Sequence, residues 1–169
     1  MREDIAASLK LQVARIAAKI ERHNAFPDDV VQIRGGWAWD IGELYAMAGM
    51  GPDDLDVVLT YDDYPFVVMM QFEDLGFCEK GDGPRFVREH DFTIGGDFPH
   101  NTSGGQLSVG QAGAGGGYLG LTEGLRQVLG QAGPTQVVGA RAALASGFGM
   151  INYERGLSSG AAILTGPSS

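Results

Sequence analysis

Asn101-Thr-Ser-Gly-Gly-Gln-Leu-Ser-Val-Gly-Gln-Ala-Gly-Ala-Gly-Gly-Gly-Tyr-Leu-Gly120 carries eight glycines in twenty residues, within a chain that holds 27 glycines among 169. Glycine loses the most backbone freedom on folding and contributes no side-chain packing, so such a run inside a folded domain needs a reason. Tight turns with positive φ are one reason; a backbone lying close against a ligand or another backbone is the other. Downstream, Tyr118, Leu119, Leu121, Leu125, Val128 and Leu129 recur at three- and four-residue steps, which predicts a helix over about 116–130. Gly115, Gly116 and Gly117 then deliver backbone N–H groups at a helix N-terminus, a favourable place for an anion or a developing oxyanion. A loop that merely packs under a helix is the bland alternative.

Upstream, Ile5, Leu9, Val13, Ile16 and Ile20 permit either a helix or a strand, and the expected division is a short helix before Leu11 with a strand after it. Pro27 and the pair Gly35-Gly36 mark a loop. Trp37, Ile41, Leu44, Tyr45 and Ala48 fit an amphipathic helix ending at Gly49 or Gly51, with Trp37 and Trp39 on different faces. Leu55 to Tyr61 reads as a buried strand. Asp62 or Asp63 is placed to cap the next helix, which has Pro65 in its first turn and runs to Gly76. Phe86-Val87 and Phe92-Thr93-Ile94 are expected as short strands around a charged loop. Val137–Ala145 and Ala161–Thr165 are expected as two more, joined by residues 147–156. Alternation of helices and apolar strands predicts an α/β layered domain with its ligand region at strand ends.

Composition narrows the function classes. A chain of 169 residues makes one domain, 1–169, with 1–10 as an N-terminal extension and 167–169 as a tail. A formal charge of −9 argues against a nucleic-acid partner, because phosphate binding needs an excess of Lys and Arg. No apolar run reaches the ~18 residues that span a bilayer, and Met1-Arg-Glu-Asp4 lacks the pattern of a secretory signal. The single cysteine, Cys78, excludes an internal disulfide and fits a reducing cytoplasm. His23, His90 and His100 have no partners at ligand spacing, so no metal site is expected.

The glycine stretch resembles the last third of thiolases, which carry Asn-x-x-Gly-Gly, a few residues, then Gly-His-Pro-x-Gly-x-x-Gly opening a helix. Asn101, Gly104, Gly105, Gly110, Gly113 and Gly117 fall on that frame, and Glu123 follows in the helix. Pro52-Asp-Asp-Leu-Asp56, Tyr61-Asp-Asp-Tyr64, Leu75-Gly-Phe-Cys-Glu-Lys-Gly-Asp82 and Pro99-His-Asn-Thr-Ser-Gly-Gly105 also occur in family order. That order is similar to the sterol-carrier-protein type of thiolase and to thiolase-like aldolases and acyltransferases, from about residue 11 to the end. The resemblance implies the C-terminal half of a thiolase fold, a mixed five-stranded sheet flanked by helices. It implies a coenzyme A thioester as substrate and no covalently bound cofactor. It also implies a partner for the nucleophilic half, either an N-terminal thiolase-half polypeptide or a second copy. Because some relatives bind a small OB-fold protein with a zinc ribbon, a hetero-oligomer is expected.

Three departures qualify the chemistry. The family nucleophile belongs to the N-terminal half, and Cys78 in Gly-Phe-Cys is not it. The family histidine falls at Gln111, which offers hydrogen bonds but no general base near neutral pH. The acid/base cysteine of the last loop has no counterpart in residues 147–160, where Ser158 and Ser159 lie nearby. Tyr61 stands where thiolase-like steroid side-chain aldolases place a proton-moving tyrosine, and a tyrosine filling the core edge is its alternative. His100, next to Asn101, is within reach of the same pocket; an ordinary hydrogen-bonding histidine is the alternative. The expected catalytic set is therefore Tyr61, Gln111 and His100, with Asn101, Gly104, Gly105, Gly110, Gly117 and Met150 binding substrate. Arg85, Arg88 and Arg126 are candidates for the coenzyme A phosphates by charge alone. Acyl transfer has the wider family support and stands slightly ahead; the missing histidine and Tyr61 favour retro-aldol cleavage; a non-catalytic pairing module is the third reading.

Overall fold

The computed structural model describes residues 1–111, 113–152 and 155–167; Ala112, Tyr153, Glu154, Ser168 and Ser169 lie outside the described residues, as do the side chains of Glu3, Ala114, Met150, Ile151 and Asn152. The chain opens with a short helix, α1 (Glu3–Ser8), and a strand, β1 (Arg15–His23), the division expected on either side of Leu11. Helix α2 (Trp37–Ala48) follows, then β2 (Val57–Leu59) and α3 (Pro65–Asp74). Two short helices, α4 (Gly83–Glu89) and α5 (Gly105–Val109), precede the long α6 (Tyr118–Val128). A hairpin of β3 (Ala142–Asn152) and β4 (Arg155–Thr165) closes the chain.

The sheet runs in the order β1-β4-β3-β2, with β2 parallel to β3 and the other pairs antiparallel. Side chains alternate between its faces. Val58, Leu144 and Ile163 face a core built with Trp37, Leu44, Met70, Phe72 and Leu75 of α2, α3 and the residue that follows. Val57, Leu59, Ala143 and Leu164 face Val128, Leu121 and Leu125 of α6. Both faces are covered, so β2 carries no polar side chain. Helix α6 approaches closely through Gly124, where a Cβ would stand 2.9 Å from a Leu164 methyl and 3.1 Å from a Leu59 methyl.

Four expectations are corrected. The sheet has four strands, not five: beside β2, residues 99–101 form a single parallel bridge, Val58 to His100. Pro99 has no N–H to extend that ladder, while its carbonyl accepts the Val58 N–H at 3.0 Å. Phe86 and Val87 lie in α4, opened by Pro84 in its first turn. Residues 92–94 are not a strand but lead into a turn closed by the Gly96 N–H on the Thr93 carbonyl; Phe92 stacks on Phe72 at 5.5 Å, and Phe86 joins the same aromatic cluster. Neither Asp62 nor Asp63 caps α3, whose N-cap is Tyr64. Finally, β3 continues through residues 147–152 and β4 begins at Arg155, with Gly147 paired to Gly160 and Gly149 to Ser158. Gln32 bonds both the N–H and the carbonyl of Gly156, fastening the loop before α2 to the hairpin tip.

Candidate functional site

Tyr61 stands two residues beyond β2 and is held there by one side chain. Gln71 of α3 is fully buried; its Nε2 donates to the Tyr61 carbonyl at 2.7 Å and its Oε1 accepts the Tyr61 N–H at 3.2 Å. The same Oε1 accepts from Ser146 Oγ at 2.8 Å, which ties β3 to this strand end. Asn101 does the equivalent for Thr60: its Oδ1 accepts the Thr60 N–H at 2.9 Å and its Nδ2 donates to the Thr60 carbonyl at 3.1 Å. A left-handed backbone at Asn101, φ +43, turns the chain back toward the glycine stretch.

That stretch is anchored to the same strand end. Asp62 is buried and accepts the Gln106 N–H through Oδ1 at 2.7 Å, so it caps α5 rather than the helix nearest in sequence. Gly105 has φ +62, and a Cβ there would collide with the Asp62 carboxylate. Residues 113–115 form a single 3₁₀ turn. The Gly116 N–H already bonds the Gly113 carbonyl at 3.0 Å. Of the three glycines expected to offer N–H groups, that one is engaged, and Gly117 is the cap of α6. Behind the loop, Glu123 is 1% exposed. It accepts from Thr102 Oγ1 at 2.7 Å and Gln127 Nε2 at 2.9 Å, and pairs with Arg126 at 2.8 Å.

Between the two strand ends and the loop lies a cavity of about 330 Å³. Tyr61, Asn101, Gly105, Gln111 and Gly117 all line it, so residues fifty positions apart meet at one place. Thr60, Ser103, Gln106, Gly113, Ser146 and Phe148 complete its polar and aromatic wall. Among the described residues, no side chain that is charged at neutral pH lines it. Such a space suits a neutral polar group, a thioester or amide, better than a phosphate.

The Tyr61 ring packs against Phe148, 5.9 Å between centroids, and its hydroxyl donates to Asp63 Oδ2 at 3.1 Å. Burial, then that carboxylate, push the phenol up to about 12. The phenol is therefore neutral at physiological pH, a donor coupled to an acceptor rather than a ready phenolate.

His100 is not brought to this cavity. Its Nε2 lies 2.8 Å from Thr60 Oγ1 and its ring sits edge-on to Phe72 and Phe92. Burial pushes it down to about 4, which leaves a neutral imidazole. With Asp62, Asn101 and Gly104 it lines a separate hollow of about 300 Å³. Gly104 and Gly110 do not line the Tyr61 cavity but frame α5, with φ +97 and +91. Met150 belongs to β3, and its side chain lies outside the described residues. Cys78 lines a different hollow, of about 920 Å³, whose cations Arg34, Lys80 and Arg85 are paired to Asp29, Asp74 and Asp82. Neither Arg85 nor Arg126 reaches the Tyr61 cavity. Gln71, Ser146 and Gln106 were not anticipated from the sequence. Gln71 does carry a signal, one amide in an apolar run, Val67-Val-Met-Met-Gln-Phe72.

A protein-family model described as "Thiolase C-terminal domain-like" matches residues 42–163. A steroid side-chain-cleaving aldolase of Thermomonospora curvata is 42% identical over 65 residues, which are 38% of this chain and 17% of that protein. A 17-hydroxy-3-oxo-4-pregnene-20-carboxyl-CoA lyase of Mycobacterium tuberculosis is 39% identical over 88 residues, 52% of this chain and 22% of that one. Among solved structures, "Ltp2-ChsH2(DUF35) aldolase" superposes with a TM-score of 0.73 at 24% identity, over 90% of this chain and 39% of its own. The chain thus spans about a fifth of the length of these curated relatives. Among the described residues, no helix is long and apolar enough to cross a membrane. The family model covers well over half of the sequence, and the chain belongs to the thiolase superfamily as a C-terminal-domain-like member.

Proposed function

We propose that this chain is the C-terminal half of a thiolase-like enzyme that cleaves or forms a carbon–carbon bond in a coenzyme A thioester. The observation that carries the reading is that Tyr61 and Gln111 line one uncharged cavity built from the glycine loop and the end of β2. Acyl transfer of the thiolase kind requires a nucleophilic cysteine and an acid/base pair, and no cysteine, histidine or carboxylate lines this cavity among the described residues. Retro-aldol cleavage of a 3-hydroxyacyl thioester asks less of the site. A group must take the hydroxyl proton, and donors must hold the enolate oxygen as the Cα–Cβ bond breaks.

In that reaction the Tyr61 oxygen receives the substrate hydroxyl proton while its own proton passes to Asp63, 3.1 Å away. A relay of this kind removes the need for a free phenolate, which a phenol pushed up to about 12 would not supply at neutral pH. The Gln111 amide, together with the loop amides toward Gly117, holds the thioester oxygen. The enolate then takes a proton at carbon from solvent, and Asp63 releases to solvent the proton it received, giving a shortened acyl thioester and a carbonyl product with the site restored. The related aldolase and carboxyl-CoA lyase support this chemistry by their names. A partner supplies the remainder of the enzyme, either an N-terminal thiolase half or a second copy, and a small OB-fold protein with a zinc ribbon is a further candidate. Acyl transfer is the reading to adopt if that partner brings a nucleophilic cysteine to the cavity. The cytoplasm is the proposed compartment.

The test uses the chain co-purified with the polypeptides encoded beside it. A 3-hydroxyacyl-CoA is supplied, and the released carbonyl compound and shortened acyl-CoA are quantified. Tyr61→Phe is expected to slow cleavage by roughly 10²–10⁴-fold, and Gln111→Ala by roughly 10-fold or more. Unchanged rates in both variants refute the assignment, leaving a pairing module. Acyl exchange without a carbonyl product selects acyl transfer.

A further inference from the structure

Gln106 stands out among the cavity residues because, among the described residues, half of its amide has no partner. It is 8% exposed, and its Oε1 is buried and accepts no hydrogen bond from any of them. Its Nε2 faces the Gly116 carbonyl at 3.5 Å. In this orientation the amide N–H rather than the oxygen is turned toward that carbonyl. Its backbone N–H is held by Asp62 at 2.7 Å, which fixes the main chain of this residue beside the end of β2.

Three donors on the cavity wall are committed elsewhere. Asn101 Nδ2 donates to the Thr60 carbonyl, Ser146 Oγ to Gln71, and the Tyr61 hydroxyl to Asp63. A buried acceptor left unpaired destabilises a fold, so such an atom in a cavity wall points to a donor that arrives from outside the chain. An apolar side chain at this position would avoid that cost. The surrounding space is uncharged, so the donor belongs to a neutral group.

We propose that Gln106 is a specificity-determining residue whose carboxamide oxygen accepts a hydrogen bond from an O–H or N–H of the bound thioester ligand. This rests on the reading of the cavity as a thioester site. Two parts of such a ligand carry the required chemistry, a hydroxyl on the acyl chain and the amide of the pantetheine arm.

Titration of the 169-residue chain, followed by NMR shifts, separates them with three probes: S-methyl 3-hydroxybutanethioate, S-methyl butanethioate and pantetheine. If the acyl hydroxyl is the donor, the hydroxylated thioester binds roughly five- to tenfold more tightly than its deoxy analogue, about one neutral hydrogen bond. Gln106→Leu then removes the preference while retaining the deoxy probe. If the pantetheine amide is the donor, the two thioesters bind alike and Gln106→Leu weakens pantetheine by a similar factor. In either case the thermal midpoint of Gln106→Leu is equal to or above that of the parent, because an unpaired buried oxygen has been removed. Gln106→Met, nearer in length, serves if the leucine variant does not fold. Equal thioester affinities with pantetheine unaffected, or no probe binding, overturn the proposal, as does a lowered midpoint with binding unchanged. Such a result alongside lost cleavage in Tyr61→Phe removes Gln106 alone. A clear probe preference with full cleavage in Tyr61→Phe removes the catalytic assignment and keeps this one.

Discussion

His100 illustrates how one residue's surroundings override its usual chemistry. Its imidazole is enclosed by Phe72, Phe92 and Thr60, and burial pushes it down to about 4 from the ordinary 6.5. Between those values the unfolded chain binds a proton that the folded chain refuses. The contribution is therefore fully present above about pH 6.5 and is lost as pH falls toward 4. A difference of about 2.5 units corresponds to roughly 3 kcal/mol. Urea midpoints measured at pH 7 and pH 4.5 are expected to converge in His100→Gln relative to the parent; an unchanged pH dependence disproves the assignment. Gly105 offers a second check. Its φ of +62 and the adjoining Asp62 carboxylate leave no room for a methyl group. Gly105→Ala adds backbone strain of about 1–3 kcal/mol and displaces the Asp62 cap, worth ~1 kcal/mol. A fall in thermal midpoint of roughly 10 °C is expected, and a fall below 2 °C would show that the loop relaxes freely. Residues of this kind were half legible. Asn101 and Gly105 were named from their motif, yet the bonds of Asn101 to Thr60 and the close approach of Gly105 to Asp62 depend on a chain segment forty residues away.

Among the elements, α6 does two jobs. One side lays Gly124 and its leucines on the sheet, and another carries Glu123 to the back of the glycine turn. Removing the Glu123 carboxylate takes the acceptor from Thr102 Oγ1 and one acceptor each from Gln127 and Arg126. Glu123→Leu is expected to cost about 3 kcal/mol, from hydrogen bonds to a buried charged group. Amide exchange should accelerate first in the 101–105 turn; exchange that speeds up only in α1 would contradict this coupling. Helices α2, α3 and α6 were readable because each has a 3.6-residue apolar stripe, Pro65 opens one, and Gly49 follows another. The short α4 was misread as strand because Phe86 and Val87 have β-forming side chains, and seven residues give the period little chance to show. The hairpin was cut short in the reading because its glycines look like breaks. In the fold, cross-strand pairing carries Gly147 and Gly149 through the ladder.

Taken whole, the molecule presents a cavity that, among the described residues, no charged side chain and no cysteine lines. Its one cysteine, Cys78, lies outside that cavity, and burial first, then nearby carboxylates, push the thiol up to about 11. Alkylation by iodoacetamide at pH 7.5 is expected to run roughly two orders of magnitude slower than for a free thiol. Cys78→Ser should leave thioester cleavage unchanged. Rapid alkylation that abolishes activity would instead make Cys78 part of the chemistry. The sequence by itself determined the α/β class, the family and most helices, since periodicity, turn residues and motif order are local properties of the chain. Only the tertiary structure decided that the fifth strand shrinks to one bridge, that His100 turns away from the cavity, that Asp62 caps a distant helix and that Gln106 keeps an unpaired oxygen. Each of these depends on which groups remain for one another after the sheet and its helices have packed, and no local pattern encodes that remainder.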